Sequence, residues 1–159
     1  MLSGISIDRE NSKSSVEIIE PRRKVPELVE YQIDIKEKIL SILRNKGDKT
    51  RCMISLPTGG GKTRVAVEAF LDWMQASFEE NKYLLWVAQS EELCEQCISC
   101  IEQMWKSREF ILPLKVYRYF SKYDFSLDDF QGGVVVASIN KIYNRLKSND
   151  EVMTNMQTN

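Results

Sequence analysis

Leu56-Pro57-Thr58-Gly59-Gly60-Gly61-Lys62-Thr63 is the stretch that most narrows what this chain can be. An apolar run, Cys52-Met53-Ile54-Ser55-Leu56, leads into it, and a helical pattern, Arg64-Val65-Ala66-Val67-Glu68-Ala69-Phe70-Leu71, leaves it. Strand, glycine loop and helix in that order make the setting of a phosphate-binding loop. Consecutive glycines let the backbone curl until several N–H groups point at one anion, and the helix N-terminus adds its partial positive charge there. In that arrangement the amides of Thr58, Gly59, Gly60 and Gly61 cradle a triphosphate. Lys62 reaches the β- and γ-phosphates, and the Thr63 hydroxyl completes the shell of a Mg²⁺ ion. The expected ligand is a purine nucleotide with Mg²⁺. The strict pattern wants glycine where Leu56 stands, and the bland alternative is a glycine-rich turn that happens to precede a lysine.

A chain of 159 residues, 43% of them hydrophobic, is one domain with enough bulk to bury a core. Lys and Arg number 22 against 23 Asp and Glu, so no global basic field announces a nucleic acid, although a net charge of −1 leaves room for a local basic groove. No apolar run approaches the ~20 residues of a membrane span. The N-terminus lacks a basic segment followed by an apolar one, so it does not read as a signal peptide. Four cysteines without a secretory signal suggest reduced thiols and a cytoplasmic setting. Histidine is absent, which removes imidazole acid–base chemistry and Cys/His zinc sites.

In chain order, residues 1–24 read as a flexible polar arm with a short strand at Val16–Ile19. Its Arg22-Arg23-Lys24 cluster is either a phosphate contact or solvated surface. Ile35, Ile39, Leu40, Ile42 and Leu43 recur at helical spacing, which predicts a helix from Pro26 to Lys46 closed by Gly47. Thr50–Leu56 reads as the first core strand, and a helix follows over about Lys62 to Glu79, with Val65, Phe70, Trp73, Met74 and Phe78 facing the core. Tyr83–Ala88 is a continuous apolar run of the kind found in a parallel sheet buried on both faces. Leu114–Tyr119 and Val134–Ala137 supply two more strands, and a helix then runs to Leu146 ahead of a polar tail over 147–159. Cys94, Cys97 and Cys100 fall on one predicted helix with Leu93, Ile101 and Trp105. They read as small apolar side chains, the alternative being ligands of a metal or an iron–sulfur cluster.

Four segments, in order, carry a family likeness. Leu56-Pro57-Thr58-Gly59-Gly60-Gly61-Lys62-Thr63 resembles motif I of superfamily 2 DEAD/DEAH-type helicases and translocases, whose first position is commonly not glycine. Tyr31-Gln32, ahead of it on a helix, resembles the adenine-reading Q motif of the restriction-enzyme R-subunit type. Ala88, Ser90, Glu92, Leu93 and Gln96 fall on a motif Ia pattern close to A-x-T-x-E-L-x-x-Q, and Glu91 stands where many relatives carry a basic residue. Ser138, at a strand-to-helix turn with Lys141 nearby, resembles motif Ib.

The resemblance implies a partial RecA-like domain over 25–146: an α/β, three-layer P-loop NTPase parallel sheet with helices on both faces, incomplete because the chain stops short of a motif II strand. It implies ATP and Mg²⁺ as cofactors, with Gln32 reading adenine. Lys62 and Thr63 carry the phosphate chemistry, and Ser90 and Ser138 touch a nucleic-acid backbone. DNA is the expected partner, RNA the alternative, and the rest of a helicase or a defence complex would complete the machine. Motif II would supply an Asp and a Glu to place Mg²⁺ and the attacking water, and Asp150-Glu151 follows polar residues rather than an apolar run. Arginine fingers, each worth roughly 10³–10⁵ in rate, belong to a second domain. The expectation is therefore a chain that grips nucleotide better than it hydrolyses it. A non-catalytic nucleotide- or partner-binding module is a second reading. An unrelated P-loop kinase is a third, and it leaves Tyr31-Gln32 and the Ia-like segment without a role.

Overall fold

The computed structural model describes residues 16–19, 25–44, 48, 50–76, 83–108, 112–126 and 130–157. Arg22-Arg23-Lys24, Gly47 and Phe78 lie outside the described residues. The elements run β1 Val16–Ile19, α1 Glu30–Leu43, α2 Lys62–Gln75, β2 Tyr83–Ala88, α3 Glu91–Lys106, β3 Leu114–Tyr119, β4 Gly133–Ser138 and α4 Ile139–Gln157. The sheet order is β1-β3-β4-β2. β2, β4 and β3 are parallel, and β1 joins β3 antiparallel. The chain is thus α/β, an incomplete RecA-like parallel sheet flanked by helices.

Helix α2 is the hinge of the packing because its sequence carries two apolar stripes. Val67, Leu71 and Met74 lie against α3 and the sheet, in a core with Cys97, Ile98, Ile101, Trp105, Val116, Val134 and Val136. Val65 and Ala69, offset by part of a turn, meet Ile39 and Leu40 of α1 in a second cluster. Stripes at this spacing let one helix bury two faces. Polar clamps finish the job at the helix ends. Arg108, just past α3, reaches Asp72 and donates to the Glu68 carbonyl at 3.1 Å, while Lys36 of α1 pairs with the same Asp72 at 3.0 Å. Gly133 opens β4 at φ +113°, and a Cβ there would stand 2.3 Å from the Lys115 carbonyl, so the backbones of β3 and β4 approach only because this residue has no side chain.

Three expectations are corrected. Thr50–Leu56 is not a strand. It is extended and has no ladder partner among the described residues, with Met53 94% exposed and only Ile54 tucked against the α1–α2 cluster. An apolar run becomes a strand only where a neighbour takes up its N–H and C=O groups, and the sheet ends at β2 without admitting this segment. For the same reason β2 is not buried on both faces: as the last strand it alternates, leaving Tyr83, Leu85 and Val87 67%, 55% and 44% exposed. Finally, α4 continues past Leu146 to Gln157, as no glycine or proline follows to stop it.

Candidate functional site

The glycine loop keeps the conformation its residues call for. Gly59 and Gly61 take φ of +81° and +80°, the left-handed region, and Gly61 stands as the N-cap of α2. No side chain caps that helix. The contrast with the other turns is direct: Ser90 Oγ accepts the Leu93 N–H at 3.3 Å at the start of α3, and Ser138 Oγ accepts the Lys141 N–H at 3.3 Å at the start of α4. The first amides of a helix have no intrahelical acceptor, so the start of α2 is the one of these three left open to an outside acceptor. Lys62 and Thr63 are both exposed at that turn. Uncapped amides, an ammonium and a hydroxyl on one helix end form a donor set suited to phosphate oxygens and a hard cation.

In this structure the loop is closed on itself. Lys62 Nζ donates to the carbonyl oxygens of Leu56 and, at 3.0 Å, Pro57. The Gly60 N–H donates to the Pro57 carbonyl at 3.0 Å, so this amide is turned inward. The Gly60 carbonyl in turn accepts from Gln32 Nε2 at 3.2 Å and from the Tyr31 hydroxyl at 3.4 Å. Gln32 Oε1 accepts the Val29 N–H at 3.1 Å, which fixes the start of α1 at Glu30 rather than at Pro26. Both ends of the Gln32 amide are therefore engaged within the protein. The packing of α1 on α2 brings Gln32, Gly60, Gly61 and Lys62 together. The sequence reading missed the tie between Tyr31-Gln32 and the loop. A glutamine three residues after the helix-start residue Val29 was its one local signal.

Ser90 and Ser138 form a separate group. The register Ala88↔Ser138 sets the C-terminal ends of β2 and β4 side by side, so both serines lie at one end of the sheet. Ser138 is 6% exposed. Beside it opens a cleft of about 400 Å³ lined by Glu91, Tyr119, Asp124, Lys141 and Arg145 among others. Lys141 is already committed. It donates to the Ser121 and Tyr123 carbonyls at 3.2 and 2.6 Å and lies 5.2 Å from the centre of the Tyr119 ring. Glu91 and Asp124 offset the two cations.

The cysteines of α3 are packing groups. Cys94 and Cys97 are fully buried and Cys100 half-buried. Burial pushes the Cys94 and Cys100 thiols up from 9.0 to about 11, and pushes Cys97 up as well, which suppresses the thiolate that a metal or an electrophile would need. Leu93, expected on the same buried line, faces outward.

With the loop, its uncapped helix and the parallel sheet in place, the comparison with known families is decisive. The model of the type III restriction enzyme, res subunit, family matches residues 26–158. The chain belongs to that family. Membership places it with helicase-like, ATP-binding domains, and the res-subunit match spans α1 through α4. No curated protein and no solved structure matches the chain. No helix among the described residues is long and apolar enough to cross a membrane.

Proposed function

We propose that this res-subunit-family chain is the ATP- and nucleic-acid-binding N-terminal portion of a superfamily 2 DNA helicase or translocase of the restriction or genome-defence type, working in the cytoplasm. The observation that carries the reading is the uncapped N-terminus of α2, preceded by two left-handed glycines and bearing Lys62 and Thr63. The amides of the Thr58–Gly61 loop and Lys62 would hold the triphosphate, with Thr63 on Mg²⁺ and Gln32 reading adenine once it leaves its protein partners. Mg²⁺, when bound, neutralises phosphate charge; the residues of this chain bind and orient. Ser90 and Ser138 would meet a strand backbone at one end of the sheet, by hydroxyl and amide contacts that read no sequence. RNA in place of DNA keeps the same chemistry.

Hydrolysis by this chain alone is expected to be slow, because no carboxylate strand of the motif II kind and no arginine finger accompanies the loop in this sequence. The test is Mg²⁺-ATP binding and turnover, with and without single-stranded DNA, in the chain and in Lys62→Ala. ATP binding that falls at least tenfold in Lys62→Ala, with turnover near background, is the expected result. Equal binding by the two proteins sinks the assignment. DNA-stimulated turnover abolished by Lys62→Ala would instead reveal a catalytic carboxylate within these residues.

A further inference from the structure

In a phosphate-binding loop the strand that enters it ordinarily fixes one side of the turn through its sheet ladder. Here residues 50–57 have no ladder partner among the described residues, so the near side of the loop is held by other means. Those means are visible. Gly60 is pinned twice: its N–H to Pro57 O, its carbonyl by Gln32 and Tyr31 from α1. Lys62 fastens the same turn from inside by donating to the Leu56 and Pro57 carbonyls. The fit around Gly61 is close as well, since a Cβ there would lie 2.6 Å from Gln32 Nε2. An anion needs what this arrangement has spent, namely the Lys62 ammonium and an outward Gly60 amide.

Taking Leu56–Thr63 to be a nucleotide-binding loop, we propose that Tyr31 and Gln32 are positioning residues that latch the ligand-free loop shut, and that the incoming phosphate must displace the latch. The closed form satisfies the loop's polar groups internally, and only the open form accepts the ligand. Apparent affinity is then the intrinsic affinity scaled by the open fraction, so whatever weakens the latch tightens phosphate binding. The same contacts give a purine a way to help its own phosphates in. A base that takes over the Gln32 amide removes one of the two α1 bonds to Gly60, which couples the base end of the ligand to the phosphate end through a single side chain. Tyr31 holds the other bond, at a longer distance, and its loss should matter less.

The latch acts on the phosphate subsite, and adenine reading acts on the base, so a ligand without a base separates them. Binding of inorganic tripolyphosphate with Mg²⁺ and of Mg²⁺-ATP is measured calorimetrically for the full chain, Gln32→Ala, Tyr31→Phe and Lys62→Ala. Loss of one neutral hydrogen bond, roughly 1 kcal/mol, corresponds to about a fivefold shift. The expectation is tripolyphosphate binding about fivefold tighter in Gln32→Ala and about twofold tighter in Tyr31→Phe, with ATP gaining less than tripolyphosphate in Gln32→Ala. A merely structural role for Gln32 would weaken both ligands together. Tyr31→Phe removes one oxygen and leaves the helix start intact, so it answers the question even if Gln32→Ala unsettles α1. Unchanged or weaker tripolyphosphate binding in both variants overturns the latch. Equal tripolyphosphate binding by Lys62→Ala and the unaltered chain, or none by any protein, overturns the loop assignment beneath it.

Discussion

Two kinds of turn deliver chain into a helix in this protein. At β2–α3 and β4–α4 the turn leaves a paired strand, and a serine spends its oxygen capping the helix that follows. At the glycine loop the turn leaves a segment with no ladder partner among the described residues, and nothing on a side chain caps α2. In the first kind the helix start is capped from within, and removing the serine costs stability. The second has no side-chain cap at its helix end and is closed by contacts of Lys62, Tyr31 and Gln32, which on the proposed reading exchange their protein partners for a ligand. What stays without a side-chain partner there is the first turn of α2, and Gly59 and Gly61 take the left-handed conformation without the steric cost that a side chain would bring.

The contrast can be pressed from its strongest side. Trp105 is fully buried where α3 meets the sheet, in the capped half. Trp105→Ala should cost about 3–5 kcal/mol of unfolding free energy by urea titration, and a loss under 1 kcal/mol would deny that this layer is the stable one. The same side chain occurs in both halves, as exposed Cys52 on the approach to the loop and, on α3, buried Cys94 and Cys97 with half-buried Cys100. With thiols at about 11 rather than 9.0, Cys94 and Cys100 should alkylate roughly 100-fold more slowly at about pH 8 than their ordinary pKa would allow. Mass mapping after iodoacetamide should therefore find Cys52 first. The pH dependence has a definite sign. Above pH 9.0 the unfolded thiols ionise while the folded ones keep their protons, so the folded state binds more protons and stability falls as pH rises toward about 11. A urea midpoint that rises between about pH 8 and about pH 10 would contradict this burial.

The smallest effects compare the caps themselves. Ser90→Ala and Ser138→Ala should each lower stability by about 1 kcal/mol. Thr63→Ala, at an exposed helix start with no capping duty, should stay within about 0.5 kcal/mol. A Thr63→Ala loss as large as the serine losses would mean that the start of α2 is capped after all.

The sheet strands were legible where apolar runs had neighbours. β2 and β3 lie where Tyr83–Ala88 and Leu114–Tyr119 predict them, and β4 extends Val134–Ala137 by one residue at each end. Thr50–Leu56 carries much the same signal and forms no strand, because composition describes a segment's own preference and a ladder is a property of two segments. Although Ser90 and Ser138 read as nucleic-acid contacts, their capping roles were in principle legible, since capping is local chemistry within three residues. The closure of the loop by Tyr31 and Gln32 was not, because it joins residues 28 and 29 positions apart, and only the packing of α1 on α2 brings them to Gly60.

What the sequence determined by itself is the chemistry on offer: glycines able to turn left-handed, a lysine and a threonine at the head of a helix, serines at two strand ends and an order of motifs pointing to one family. These follow from short-range sterics and hydrogen-bond inventory, which a linear string records. The tertiary structure decided which of those groups are spent and which are free. It left the approach to the loop outside the sheet, buried the thiols of α3, and set Gln32 against Gly60. Burial and pairing depend on which surfaces meet, and that is settled by packing rather than by neighbours along the chain.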